Sequence, residues 1–311
     1  MKIRTEFTEE ELEKYPELSN EDNLFALKHI LNRINDGKNA IVLTVGVTGS
    51  GKSWVNLRMA ELLMVIQGKI FDTANRTFFK LKTFLAYTNL KDVSPGDVSV
   101  SEELGVSMGS RQWQKNVDYS QLLQTFRDLG LVSFLNVPFK TMIDKHARLL
   151  SHFQIEMMGR KASQNVIKMF ILQHNPSASS ESKTTYRKYL RVLKTNEWGF
   201  RKMKPIKKLY WNKPSKDVLD IYLPMQSQFK SEIRLGLEVR AKKSSEEDVK
   251  TTRIGKITDE DVERLTLKGL TIKEMASLLA VSEATIFRHK AHIKIITQNR
   301  QDSEHIKTVK V

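Results

Sequence analysis

Eight consecutive residues, Gly46, Val47, Thr48, Gly49, Ser50, Gly51, Lys52 and Ser53, meet the pattern GxxxxGK[ST] in full. Each residue type has a use at a polyphosphate. Glycines at 46, 49 and 51 permit left-handed backbone angles and let N–H groups approach phosphate oxygens. Lys52 supplies a flexible point charge for the β- and γ-phosphates, and the Ser53 hydroxyl is a hard oxygen ligand for Mg²⁺. The chemistry this predicts is binding of a nucleoside triphosphate, ATP with magnesium. The bland alternative is a chance match in a glycine-rich turn.

Hydrolysis needs carboxylates nearby, one to hold the metal's shell and one to polarise the attacking water. Glu102 and Glu103 follow a strand-like run at 97–101, which makes Glu102 the metal-side acid and Glu103 the general base. Read blandly, they are two solvated glutamates opening a loop. Asn136, at the end of another apolar run, either touches the γ-phosphate or caps the turn before Pro138.

These groups act together only if the chain sets them at strand ends. Residues 40–45 are a short β-rich run, and 54–67 resume helical spacing after the glycines, so the loop lies between strand and helix. A helix over 23–36, stopped by Gly37, precedes them. Strands at 97–101 and 131–135 with a helix at 119–129 between them, then a strand at 153–157, predict an α/β fold with a mainly parallel sheet flanked by helices. Beyond Asn165, short β-prone runs at 166–172, 186–193 and 208–211 read as the far edge of that sheet, carrying basic hairpins. A closing helix follows near 215–240.

The chain of 311 residues is long enough for one such domain and a smaller partner. We expect a polar lead-in at 1–22, the main domain at 23–240, a charged flexible linker at 241–256, a small helical domain at 257–296 and a polar tail at 297–311. The 51 Lys and Arg against 36 Asp and Glu leave a net charge of +15, which favours a polyanionic partner, nucleic acid first. The lack of Cys excludes disulfides, a catalytic thiol and Cys-based zinc sites. The N-terminus has no secretion-signal core, and the most apolar stretch, 129–135, falls far short of the roughly 20 residues that span a bilayer. A cytoplasmic protein is expected.

The order GVTGSGKS, an acidic pair followed by LGVSMGSRQW, then LGLVSFLNVPF and IDKHARLLSHFQIEM resembles the HerA/FtsK branch of P-loop ATPases, with its Zot-like and archaeal plasmid or virus members, over about 23–230. That resemblance lays Glu102 on the aspartate of an Asp-Glu-Ala-Gly motif and Glu103 on its glutamate, with Gly105 near the glycine. Glu102 for Asp and Asn136 for Gln are departures from the branch's usual pattern. What the resemblance implies is a homo-oligomer, a hexameric ring, that moves DNA using ATP and completes each site with a neighbour's arginine. Arg111, Arg127 and Arg148 are the candidates.

Residues 257–293 carry the punctuation of three short helices. The first runs over about 259–268 and stops at Gly269; Thr271 and Glu274 form a capping box for the second; Ser282 caps the third, 283–293. Ala276 is small where two helices cross, and Val281 and Ile286 supply core. This is helix-turn-helix spacing and resembles the DNA-binding end of resolvases and invertases. The third helix would enter the major groove of double-stranded DNA, with Glu283, Thr285 and Arg288 near base edges and Ser282, Lys290 and His292 near phosphates. A three-helix module for protein contacts is the alternative.

Overall fold

The computed structural model describes residues 3–88, 93–102, 128–143, 145–175, 177, 185–195, 201–253, 257–279 and 281–294. The chain divides into two compact units, 1–229 and 230–311.

The first unit is built on β1 (Ala40–Val45), whose side chains alternate between two cores. Ala40 and Val42 join α2 (Glu21–Asn35) and α3 (Lys52–Ile66) on one face. Ile41 and Leu43 join α5 (Leu81–Thr88), which follows the single turn α4 (Thr73–Arg76), and α6 (Lys145–Leu150) on the other. A strand covered on both faces must be apolar throughout, which is why 40–45 reads as an unbroken β-rich run. The helix α3 is buried nearly all round, consistent with its run of Leu, Met, Val and Ile.

Among the described residues the sheet has eight strands. Its order is β10 (Leu209–Trp211), β6 (Gln164–His174), β5 (Phe153–Lys161), β1, β4 (Val132–Val137), β3 (Val98–Ser101) and β2 (Thr77–Phe78), with β7 (Thr185–Tyr189) also on β6. From β5 to β2 every pairing is parallel; β6, β7 and β10 are antiparallel additions. This is the expected α/β architecture, a mostly parallel central sheet flanked by helices. A second, two-stranded sheet pairs β8 (Arg191–Thr195) with β9 (Arg201–Pro205).

Four features go beyond the expected elements. Within the polar lead-in expected at 1–22, α1 (Glu9–Lys14) opens with a capping box on Thr8, and Tyr15, Glu17 and Leu18 are buried. The reason is Arg58 of α3, whose guanidinium meets Glu17 at 2.7 Å and Glu61 at 3.0 Å. The 186–193 run is two strands, because Leu190 turns into the core between them and Ile206 N–H donates to its carbonyl. The strands β2 and β9 have no counterpart in the expected set. Finally, α7 (Lys216–Arg253) continues through most of the presumed linker, since Ala, Lys and Glu sustain a helix without an apolar face. The helix expected at 119–129 lies mostly outside the described residues; 128–129 are helical.

In the second unit, α8 (Asp259–Leu267), α9 (Ile272–Leu278) and α10 (283–294) enclose Val262, Leu265, Met275, Ala276 and Ile286. Gly269, at φ +76°, ends the first, and the Thr271–Glu274 box opens the second. Val281 packs at the edge of this core.

Candidate functional site

Strand register brings the site together. Thr44 is the register partner of Asn136, and Ser101 that of Leu135, so Glu102 emerges from β3 level with Asn136 on β4. All three lie at the C-terminal edge of the parallel strands, where open α/β sheets present ligands. The loop 46–53 leaves β1 at the same edge.

From there a continuous chain of hydrogen bonds runs through buried side chains. The Thr44 hydroxyl donates to Asn56 Oδ1 at 2.7 Å, and Asn56 Nδ2 donates to Asn136 Oδ1 at 2.8 Å. Asn136 Nδ2 then donates to Glu102 Oε2, and the Ser53 hydroxyl donates to the same oxygen, each at 2.8 Å. Thr44, Asn56, Asn136 and Glu102 are all buried. Polar groups so placed are worth keeping only if bonded, and each bond here fixes the rotamer of the next. The chain orients one carboxylate against one hydroxyl.

Lys52 folds back over its own loop, donating to the carbonyls of Gly46 at 2.6 Å and Val47 at 3.0 Å. Gly49 and Gly51 have φ of +80° and +92°, the left-handed region expected of them. Gly46 does not, a correction to its assigned role. Its reason for lacking a side chain is space: a Cβ there would stand 2.8 Å from Met157 Cβ on β5 and from Ser50 Oγ. Gly51 is crowded too, with Asn165 Oδ1 of β6 at 2.5 Å from the Cβ position. Val47, Thr48 and Gly49 are exposed at the loop's crest.

Glu103 lies outside the described residues, as do Arg111 and Arg127. Arg148, on α6, donates to the Lys140 carbonyl at 3.4 Å. Asn56, Met157 and Asn165 were missed by sequence reasoning, because their roles depend on which strands and helices become neighbours. Trp54 was missed as well. Its ring lies under two cations, Arg160 at 4.9 Å and Lys213 at 5.2 Å, immediately after Ser53.

In the second unit, Ser282 caps α10 by accepting from Thr285 N–H at 3.2 Å, and its hydroxyl lies 2.9 Å from that of Thr285. Glu283 and Arg288 are exposed; Thr285 and Lys290 are half-buried. His292, expected near phosphate, is exposed and also bonded within the unit. Its Nδ1 lies 2.7 Å from Asp259 Oδ2, while His289 Nδ1 lies 2.6 Å from Oδ1. Those hydrogen bonds hold the Asp259 carboxyl below the ordinary aspartate range. Asp259 opens α8, so the two histidines fasten the third helix to the first.

Among the described residues no helix is long and apolar enough to cross a membrane. No protein-family model matches the chain, and no curated protein does. Among solved structures it is similar to the N-terminal domain of zonular occludens toxin from Neisseria meningitidis, at 14% identity and a TM-score of 0.35, over 60% of this chain and 99% of that one.

Proposed function

We propose that the chain binds ATP with magnesium at the loop 46–53, hydrolyses it, and couples turnover to double-stranded DNA. The observation that carries this reading is the convergence of Ser53 and Asn136 on one oxygen of Glu102. A serine hydroxyl and a carboxylate oxygen 2.8 Å apart at the foot of a glycine loop are the hard-donor set that suits Mg²⁺. Ser53 and Glu102 would hold the ion, which when bound would supply positive charge beside the triphosphate. Lys52 would exchange its two loop carbonyls for phosphate oxygens. Asn136 holds Glu102 in place, and Glu103 is assigned the proton of the attacking water.

The second part rests on α10, read as the recognition helix of a helix-turn-helix, with Glu283, Thr285 and Arg288 toward base edges and Ser282 and Lys290 toward phosphates. A ring in which Arg111, Arg127 or Arg148 reaches the next subunit's site belongs to the same reading. A second reading makes ATP an assembly switch for a DNA-binding regulator. Glu102 favours it, because one methylene more than aspartate displaces the carboxylate and slows turnover.

Magnesium-dependent ATP turnover by the full chain, with and without duplex, tests both. Lys52→Ala should lose nucleotide binding; binding left intact would remove the loop from its role. Glu103→Gln should bind ATP without hydrolysing it. Turnover indifferent to duplex, alongside a footprint that needs only a non-hydrolysable analogue, would replace the motor by the switch.

A further inference from the structure

We infer that the β8–β9 ribbon is a second, sequence-independent binding surface for the backbone of duplex DNA, carried by the same unit as the nucleotide loop. The ribbon's two strands, 191–195 and 201–205, contain five Lys or Arg and no Asp or Glu. Ten residues therefore carry a charge of +5, a third of the net +15.

The ribbon is held firmly at its foot and open beyond it. Leu190 and Ile206 are buried and joined by a 2.8 Å backbone hydrogen bond, and Val192 packs against the main core. All of β9 is exposed. Residues directly opposite in an antiparallel pair share a face. One face therefore carries Arg191 opposite Pro205, Leu193 opposite Met203 and Thr195 opposite Arg201. Leu193 and Met203 are 52% and 46% exposed, an apolar pair in contact with solvent and flanked by arginines. On the other face Lys194 stands opposite Lys202, a like-charge pair that destabilises a ribbon unless an anion intervenes. Asp22 takes Lys194 at 2.8 Å; among the described residues no carboxylate takes Lys202, Lys204, Arg191 or Arg201.

The occupant is identified by charge and shape. Two strands stand about 4.8 Å apart, so a five-residue ribbon with its side chains fits a major groove about 12 Å wide. Lysines and arginines at its rims then meet phosphates, which set position without reading sequence. The ribbon's cations belong to the first unit and the base-reading candidates on α10 to the second.

The test is fluorescence anisotropy of the full chain on an arbitrary duplex across a salt series. The triple variant Arg201→Ala, Lys202→Ala, Lys204→Ala should bind at least tenfold more weakly at low salt. The slope of log affinity against log salt should fall by about 2 to 3, since each phosphate contact contributes about 0.9. Lys202→Arg with Lys204→Arg should keep both. Because the three positions are exposed, the thermal midpoint and duplex-independent ATP turnover should not change. The inference is overturned if affinity and slope stay at the parent values. It is equally overturned if the triple variant loses binding to single strands or to phosphatidylserine vesicles while its duplex binding is unaltered. The inference does not rest on the nucleotide reading: a failed Lys52→Ala test would leave it standing, and its own failure would leave the loop assignment intact.

Discussion

The hydroxyl of Ser53 donates to Oε2 of Glu102 at 2.8 Å, linking the first turn of α3 to the end of β3 across 49 positions of sequence. Three strands, β1, β4 and β3, must pair in register for this contact to form. It is a product of the whole parallel half of the sheet.

Replacing that carboxylate should separate binding from chemistry. Glu102→Ala should reduce magnesium-dependent turnover at least 100-fold, about 2.7 kcal/mol of transition-state stabilisation. Binding of a fluorescent ATP analogue in the absence of magnesium should change little. Full turnover in this variant, measured by phosphate release, would dismiss Glu102 from the site.

The two left-handed glycines should respond unequally. At Gly49 an added Cβ meets nothing within 4 Å, so Gly49→Ala bears only the cost of its φ, about 1 to 2 kcal/mol. Gly51→Ala bears that cost and must also displace Asn165. Chemical denaturation should rank Gly51→Ala as the less stable, and nucleotide titration should show the larger loss for it. Equal effects would contradict the close approach of Asn165.

Arg58 should prove a stability residue, not a site residue. Burial alone would lower its pKa, but hydrogen bonds and attraction from Glu17 and Glu61 outweigh it, so the guanidinium stays charged. Arg58→Ala leaves two buried carboxylates without their partner, and losses of about 3–5 kcal/mol are typical of such a break. Urea unfolding measures it. Removal of residues 1–20 should also destabilise, because it strips Glu17 from the same cluster.

His152 predicts an acid limit. Its Nδ1 accepts from Ile41 N–H at 3.0 Å, and burial, with lesser contributions from Arg33 and His174, lowers its pKa to about 3. The ordinary value is about 6.5. The folded pKa is depressed, so the unfolded chain binds the extra proton between the two values. This contribution is complete above pH 6.5 and is lost as pH falls toward 3, by about 1.4 kcal/mol per unit across that window. Urea midpoints from pH 7.5 to 4 should show this slope, and His152→Asn should flatten it. An identical profile in the variant would exclude His152 as its source.

The loop 46–53 was legible as a strand-to-helix turn because glycine spacing, the preceding strand and the following helix are all local. Glu102 was legible as a strand-end acid. Asn56 was not: it sits inside a helix buried nearly all round, and its meaning depends on Thr44 and Asn136 flanking it in space. Gly46 was misjudged because its need is for room beside Met157, a contact between non-adjacent segments. The Thr77–Phe78 strand is too short to carry a pattern. The break at Leu190 was hidden because a single buried residue between two exposed, basic runs looks like ordinary alternation. The bond from the His292 ring to Asp259, 33 positions earlier, was invisible because it joins two helices rather than neighbours in sequence.

The sheet changes character at β5, which is parallel to β1 on one side and antiparallel to β6 on the other. Everything from β5 to β2 must keep its register to hold Ser53, Glu102 and Asn136 together, so mutations there are constrained in concert. The β8–β9 ribbon, pinned at Leu190 and Ile206, is under no such obligation. Its length and charge can change without disturbing the contact of Ser53 with Glu102, so the two halves of the unit can be altered independently of each other.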